Sequence, residues 1–283
     1  MTILQIIYSV VLGLVQGISE WLPISSKTQI LAASNLLLGL DYQQAYTFGL
    51  FMEIGTVLAA IIYFRREVWA LVSVVLGSKD RMRRRFFLYV LVATVITGLI
   101  GVPLYLVADS VTGVTIGIPM LVIGLVLIGD ALFIRHARKK RGKEGYAPKK
   151  FADMKFRDYL IIGVMQGIAA LPGVSRSGIT TSTMLVMDVE ADEAFRLSFV
   201  IGIFATAAAF GVTVIFSHSN VTAALAGIGM VGLLVAIATA TVVSLFLIDF
   251  LIKIARKSSI VYLTAGLGII AIGSGLLYLL LAA

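Results

Sequence analysis

The sequence lacks cysteine and has little charge, and both absences restrict what the protein can be. Without cysteine, disulfide bonds, thiolate nucleophiles and cysteine-ligated metals are excluded. The two histidines, His136 and His218, fall in predicted loops, which leaves no candidate for a histidine base in the core. Charged residues make up 13% of the chain and apolar residues 59%, whereas a soluble domain has about 25% charged residues. These proportions predict an all-α integral membrane protein.

The positive charge is concentrated in three short segments. All but three of the 23 lysines and arginines lie in 65–85, 135–157 and 253–257. The net charge of +8 would also suit a nucleic-acid binder. However, basic segments beside apolar spans are typical of cytoplasmic loops. We therefore expect a multi-pass protein of the plasma membrane with these segments in the cytoplasm, and no nucleic-acid partner.

Two apolar stretches are interrupted, while six others are long enough to cross a bilayer. The uninterrupted runs are 45–64, 86–107, 114–134, 194–216, 222–249 and 259–282. Residues 1–40 are broken at Pro23–Lys27, and residues 158–188 are broken at Pro172–Gly173. Each broken stretch is predicted to be a re-entrant hairpin, whose turn has to be buried in protein or line a wet cavity. Two ordinary spans in residues 1–40 are the alternative.

One hairpin and three spans in each half predict an inverted-topology repeat. The first repeat is expected over 1–134, a basic cytoplasmic linker over 135–157 and the second repeat over 158–283. An odd number of spans starts the second half on the opposite side, so all three basic segments fall in the cytoplasm and both termini outside. The two hairpin tips would then meet near the midplane. The oligomeric state stays open, with a homodimer among the options.

The two interrupted stretches also match in sequence: GLVQGISEWLPISSK (13–27) lies over GVMQGIAALPGVSR (163–176). Gln16-Gly17-Ile18 matches Gln166-Gly167-Ile168. With a slip of one residue, Pro23, Ser26 and Lys27 match Pro172, Ser175 and Arg176. Inverted repeats place a binding site at the repeat interface and direct the N-termini of broken helices toward an anion.

Both tips carry groups that suit a phosphate. The second has Gly173, Ser175 and Ser177 around Arg176, just before a helix resumes. Helix N–H groups, hydroxyls and a guanidinium together bind phosphate oxygens. A serine helix cap with a structural arginine is the alternative. The first tip offers Ser25, Ser26 and Lys27 for the same purpose.

Two carboxylates lie inside apolar sequence, where they are costly unless they are paired or functional. Glu20 is spaced i, i+4 from Gln16, and Glu53 lies within the first long span. Glu20 and Glu53 could hold a divalent cation or pair with Lys27 and Arg176. A salt-bridged quartet without chemistry is the alternative.

These motifs resemble those of the undecaprenyl-diphosphate phosphatases of the bacitracin-resistance type, over most of the chain. One signature, Glu or Gln followed four residues later by Glu, is present as Gln16 and Glu20, and the other, PGxSRSG, as 172–178. The resemblance implies interlocking inverted repeats with re-entrant hairpins. It also implies removal of the terminal phosphate from a C55 prenyl diphosphate, giving the monophosphate carrier of envelope polysaccharides, with Mg²⁺ or Ca²⁺ as cofactor.

The resemblance further implies roles for the residues at the tips. Ser26 would be the nucleophile, and Glu20 would hold metal or polarise the reaction with support from Gln16. Ser175, Arg176 and Ser177 would grip the diphosphate, with Gly173 beside them. Glu53 is a further candidate metal ligand, and Ser25, Lys27 and Gln29 are candidate substrate contacts.

The first tip departs from the family pattern. The family usually reads SSTGH here, whereas this chain reads Ser25-Ser26-Lys27-Thr28-Gln29. Gln29 therefore occupies the histidine position, and a carboxamide cannot carry a proton at ordinary pH. This departure keeps two alternatives open, a flippase of polyprenyl phosphate that does not hydrolyse its lipid and a small-anion transporter.

Overall fold

The computed structural model describes residues 2–22, 24–40, 42–110, 148–171, 174–216, 229–256 and 260–281, with parts of 118–135. Ten α-helices can be bounded within these ranges: α1 Ile3–Ser19, α2 Ser26–Leu38, α3 Tyr42–Tyr63, α4 Arg65–Val75, α5 Arg81–Ser110, α6 Phe156–Ile168, α7 Arg176–Val186, α8 Ala191–Phe216, α9 Gly229–Arg256 and α10 Ile260–Leu281. Apart from an isolated bridge between Lys149 and Val189, these ranges contain no β-structure.

Four helices are long and apolar enough to cross a membrane, and the bent pair α3–α4 raises the number to five. The four lie within α5, α8, α9 and α10. The expectation of an all-α, multi-pass membrane protein is therefore confirmed for the described part of the chain. Of the remaining predicted spans, 45–64 falls on α3, and 114–134 is described only in parts and is helical at those positions.

Helix α4 lies where the sequence predicts only a connecting loop between spans, and that part of the prediction is wrong. The chain bends by 82° between α3 and α4 instead of continuing as loop. Leu71 is buried, whereas Trp69 and Val75 on the same helix are exposed. The surrounding basic residues conceal this short amphipathic pattern when only long apolar runs are sought.

The two interrupted stretches each form a pair of short helices. Helix α1 ends at Ser19 and α2 begins at Ser26, while α6 ends at Ile168 and α7 begins at Arg176. The breaks fall at the predicted places, although Pro23 and Pro172–Gly173 lie outside the described residues. With 17 residues in α1 and 11 in α7, the longest of these helices is about 26 Å and the shortest about 17 Å, less than the ~30 Å hydrocarbon core.

Glycines allow the first helix of each pair to approach a long helix closely. A Cβ atom added at Gly17 of α1 would lie 2.9 Å from the Ala240 carbonyl oxygen of α9. A Cβ atom added at Gly163 of α6 would lie 2.9 Å from the Ala93 carbonyl oxygen of α5. Small residues at such crossings let helix backbones touch. The N-terminal pair therefore packs on a late helix and the later pair on an early one.

We expect the substitution Gly13→Ala to destabilise the protein by about 1–3 kcal/mol, because overpacking a tight contact has this cost. The added Cβ would lie 2.6 Å from the Ala236 carbonyl oxygen and 2.6 Å from Thr239 Cβ. The matched control is Gly273→Ala in α10, whose Cβ would meet no described atom within 4 Å. Thermal unfolding in detergent, followed by circular dichroism, measures both variants. Equal midpoints for the two would contradict the close packing of α1 on α9.

Candidate active site

Glu20 lies at the end of α1, where the helix gives way to the first turn. Its backbone N–H still donates to the Gln16 carbonyl, which keeps the two side chains one turn apart on the same face. The Gln16 amide nitrogen donates to Glu20 Oε2 over 2.9 Å. The next residue, Trp21, is buried and packs edge-on against Phe199 of α8 with ring centroids 4.8 Å apart. This packing holds the turn, and hence the carboxylate, in place.

Ser26 is the first residue of α2 and faces the same carboxylate. Its hydroxyl donates to Glu20 Oε2 over 2.6 Å. The preceding residue, Ser25, has φ 56° and ψ 90°, a conformation that L-residues rarely adopt. Such strain costs about 1–3 kcal/mol and is typical of functional sites. The Ser25 side chain does not cap α2, and the N-terminus of a helix favours an anion.

The second turn packs directly against the first. Ser175 caps α7, with its hydroxyl accepting from the Gly178 N–H over 3.2 Å. The Ser175 hydroxyl also lies 3.4 Å from the Leu22 carbonyl oxygen, and the Ser177 hydroxyl lies 3.2 Å from the Glu20 carbonyl oxygen. The hydroxyls of Ser175 and Ser177 therefore connect the second turn to the first. The two turns are thus in contact, as the sequence predicts for them.

Arg176 brings the cation of the second turn onto the acid of the first. Its guanidinium forms an ion pair with Glu20 Oε1 and donates to Thr206 Oγ1 on α8. Gly202 of α8 lies beside this side chain, and a Cβ there would be in ordinary van der Waals contact, 3.6 Å from Arg176 Nε. The Glu20 side chain is 3% exposed and that of Arg176 is 23% exposed. Arg176 thus combines a buried partner with an open side that a ligand can reach.

These groups line one end of an open cavity whose empty space, including its mouth, is about 1020 Å³. The polar end is formed by residues from three helices and the two turns: Glu20, Ser25, Ser26, Lys27, Glu53, Ser175 and Arg176. The remaining walls come mostly from small and apolar residues of α5, the end of α6 and α8: Gly98, Gly101, Val102, Ala169, Ala170, Ala205, Ala208 and Ala209. A cavity with one charged end and apolar walls suits an amphiphile with an anionic headgroup.

Two predicted site residues have less direct positions, and one cannot be described. The Gln29 amide nitrogen donates to the Ile24 carbonyl over 3.2 Å, so this side chain braces the first turn. Gln16 is directed at Glu20. Gly173 lies outside the described residues. The histidine position of the family pattern therefore has a structural contact in this chain.

The oxygen ligands for a divalent cation are limited to two carboxylates. No cluster of three or more histidine, aspartate or glutamate side chains occurs in the described part of the chain. Glu53 is buried at the cavity, and its Oε2 has no hydrogen-bond partner among the described residues. Mg²⁺ is usually bound by one or two carboxylates together with substrate phosphates. An unmatched buried carboxylate oxygen beside the charged end of the cavity fits such an ion.

The sequence misses further polar groups that line the cavity. Thr94 and Thr97 of α5 and Gln166 of α6 line it, and Thr206 of α8 holds Arg176. The threonines stand in an ordinary apolar span without a motif. Gln166 had a signal, because the repeat pairs it with Gln16, but a role for it could only be seen once α5 lay beside it.

Known proteins with similar sequences point to one family. The family model of the bacitracin resistance protein BacA matches residues 9–272. A protein of Saccharolobus solfataricus is 48% identical over 274 residues, covering 96% of each chain, and one of Saccharolobus islandicus is 50% identical over 260 residues, covering 91% of each. A protein of Pyrobaculum aerophilum is 40% identical over 273 residues, covering 94% of this chain and 96% of its own. All three are named undecaprenyl-diphosphatase. With a match over most of its length and relatives at this level of identity, the chain belongs to the BacA family.

Proposed function

We propose that the protein hydrolyses a long-chain polyprenyl diphosphate to the prenyl monophosphate and inorganic phosphate. The observation that carries the proposal is the Ser26 hydroxyl 2.6 Å from Glu20 Oε2, on a carboxylate that also pairs with Arg176. A nucleophile in contact with a base, beside a cation, is the arrangement that phosphoryl transfer to a side chain requires. The relatives named undecaprenyl-diphosphatase support the same activity.

The reaction would proceed in two steps at Ser26. The serine oxygen attacks the terminal phosphorus, its proton passes to Glu20, and the prenyl monophosphate leaves with the bridging oxygen and its electron pair. Water then attacks the phosphoserine, and Glu20 returns its proton to the departing serine oxygen. The water retains one proton as P–OH and releases the other to solution. Arg176 and Lys27 stabilise the negative charge on the transferred group through their own charges.

The lipid chain would leave the site along the small-residue wall. Gly98 and Gly101 of α5 face the cavity together with Ala205 and Ala208 of α8. Because glycine has no side chain and alanine only a methyl group, these residues leave space for the isoprenoid units that follow the headgroup. A prenyl chain could then continue toward the bilayer while its phosphates stay at the charged end. This division supports a lipid diphosphate over a water-soluble one.

A divalent cation, Mg²⁺ or Ca²⁺, fits the proposal as cofactor. Glu53 would hold it, with Glu20 as the second carboxylate near the diphosphate. Glu20 Oε2 already accepts from Gln16 and Ser26, which leaves Glu53 as the ligand with an open oxygen. When bound, the ion would supply neutralisation of the negative charge on the diphosphate.

The substitution Glu53→Gln is expected to raise the Mg²⁺ concentration for half-maximal hydrolysis at least tenfold, on the order of a lost ligand contact. Glu67→Gln is the matched control, because Glu67 pairs with Arg196 away from the cavity. Mn²⁺ binding followed by electron paramagnetic resonance gives a second readout, independent of turnover. An unchanged metal requirement and unchanged Mn²⁺ binding would remove Glu53 from the site.

We infer an inverted repeat over 1–134 and 158–283, with the basic segment 135–157 as linker and the short helix pairs as re-entrant hairpins. The reciprocal packing of α1 on α9 and of α6 on α5 supports this, as does the length of the four short helices. The basic segments would lie in the cytoplasm and both termini outside the plasma membrane, following the charge distribution. Cysteine accessibility at introduced terminal and loop positions measures the orientation. A homodimer stays a prediction, to be checked by the mass of the detergent-solubilised protein.

The activity is tested with purified protein, a long-chain prenyl diphosphate and Mg²⁺ or Ca²⁺ in detergent. Release of one phosphate per lipid, with the prenyl monophosphate as the other product, is expected. Movement of labelled prenyl phosphate between liposome leaflets without phosphate release would instead favour the flippase. Competition by free phosphate but not by lipid would favour a small-anion transporter.

A further inference from the structure

One wall of the cavity contains a hydrogen-bond chain that orients Gln166. The Thr97 hydroxyl donates its single proton to a backbone carbonyl, that of Ala93 at 2.7 Å or Gly163 at 3.2 Å. Thr97 Oγ1 can therefore only accept from a side chain, and the Gln166 amide nitrogen donates to it over 3.0 Å. Because the amide nitrogen faces Thr97, the Gln166 carbonyl oxygen Oε1 is directed away from it.

Two polar atoms on this wall are left unmatched. Gln166 is 2% exposed, and neither its Oε1 nor Thr94 Oγ1 has a hydrogen-bond partner in the part of the chain that the structure describes. Both side chains line the cavity. A buried acceptor without a donor is unfavourable, and native proteins rarely retain one without a function. Thr94 lies one turn before Thr97 on α5, so it shares a helix face with the hydroxyl that holds Gln166.

The chemistry of the wall restricts its ligand. Gln166 Oε1 can only accept, so the ligand has to donate a proton, and Thr94 can accept or donate in return. The cavity residues contributed by α5 and by α6 with its following turn include no charged side chain, so these elements offer no cation to a fully ionised phosphate oxygen. A neutral O–H group satisfies both atoms. Phosphatase chemistry supplies two such groups, water as second reactant and the P–OH of the released phosphate.

We propose that Gln166 and Thr94 form a neutral subsite that binds an O–H group of the reaction, either the attacking water or the protonated oxygen of product phosphate. This inference rests on the proposed phosphatase function. It assigns opposite tasks to the two ends of the cavity: the Glu20–Arg176 end binds the charged diphosphate, and the Gln166 wall binds the uncharged donor. The paired glutamines of the two repeats then differ in role, Gln16 supporting the base and Gln166 the ligand.

The water arm of the test follows a single turnover with a substrate labelled in its terminal phosphate. In Gln166→Leu, release of prenyl monophosphate is expected to stay near the wild-type rate. Breakdown of the phosphoserine is expected to slow about tenfold, as for the loss of one hydrogen bond to a bound reactant, so that acid-stable labelled protein accumulates. The phosphate arm measures inorganic phosphate as inhibitor and as stabiliser of the protein against heat. Its inhibition constant is expected to rise about tenfold in the variant, and its stabilisation to disappear.

Thr94→Val is the second variant, since it removes the hydroxyl and keeps the shape. Thr264→Val is its control, because Thr264 Oγ1 is also buried without a partner in the described ranges but lies outside the cavity. A change in either arm, shared by Gln166→Leu and Thr94→Val and absent from Thr264→Val, supports the subsite and identifies its ligand. Unchanged values in both arms, or equal slowing of both chemical steps with a lower unfolding temperature, overturn it. If the wild type releases no phosphate at all, the proposed function fails, while the heat-stabilisation arm still tests the subsite.

Discussion

Replacing Ser26 with alanine is expected to lower phosphate release by at least about three orders of magnitude, because it removes the oxygen that forms the phosphorylated intermediate in the proposed mechanism. The Ser26 hydroxyl donates to Glu20 over 2.6 Å at the N-terminus of α2, and the alanine keeps the helix but removes the attacking oxygen. Substrate binding is expected to change little, since Arg176 and the helix N–H groups remain. The measurement is phosphate released from a prenyl diphosphate under saturating Mg²⁺.

Ser34→Ala is the matched control for this variant. Ser34 lies on the same helix, is fully buried and does not line the cavity. It is expected to retain near wild-type turnover. Substantial phosphate release by Ser26→Ala, with Ser34→Ala behaving alike, would mean that water attacks the diphosphate directly and that Ser26 is not the nucleophile.

The second large effect is expected for Arg176→Lys, which should lower kcat/KM by about 10²-fold or more. The guanidinium contacts Glu20, Thr206 and the cavity at once. An ammonium is a point donor without the planar fork, so it cannot keep the acid partner and present a two-pronged face to phosphate oxygens together. The charge is unchanged, so the loss measures geometry.

Arg196→Lys controls for the same exchange elsewhere. Arg196 also contacts two partners, Glu67 at 3.3 Å and Glu193 at 2.8 Å, and it does not line the cavity. It is expected to alter stability slightly and kcat/KM by less than about twofold, since exposed ion pairs contribute ~0–1 kcal/mol. If both variants lose activity to the same extent, Arg176 acts through the fold rather than at the phosphate.

The apolar spans could be predicted from the sequence, because composition and the length of an apolar run reflect exposure to lipid. Residues 86–107 and 259–282 correspond to α5 and α10 within a few residues. Helix α4 could not be predicted from composition and run length, since its short amphipathic pattern lies inside a basic segment. Its existence depends on the bend after α3, where the chain turns by 82°. Local sequence carries no comparable signal for such a bend.

The candidate site likewise contains residues that the sequence identifies and residues that it does not. Glu20, Ser26 and Arg176 were identified because charge and hydroxyls in apolar sequence are costly and therefore conspicuous. The role of Gln29 was harder to predict, because whether a carboxamide braces its own turn or faces a ligand depends on a carbonyl five residues away. Thr94 and Thr97 were overlooked because threonine is common in apolar helices, and only their position on the cavity that Ser26 also lines indicates a role.

By itself, the sequence determined that the protein crosses a membrane and that two broken stretches match each other in sequence. It also determined which polar side chains lie in apolar segments, where their burial costs enough free energy to require a partner or a function. These are properties of composition and spacing, which each segment carries alone. Only the tertiary structure decided that Arg176 pairs with Glu20, that Glu53 Oε2 and Gln166 Oε1 have no hydrogen-bond partner among the described residues, and that glycines of α1 and α6 let these helices approach α9 and α5 closely. The Arg176–Glu20 pair alone joins residues 156 positions apart, and its geometry follows from how the helices pack.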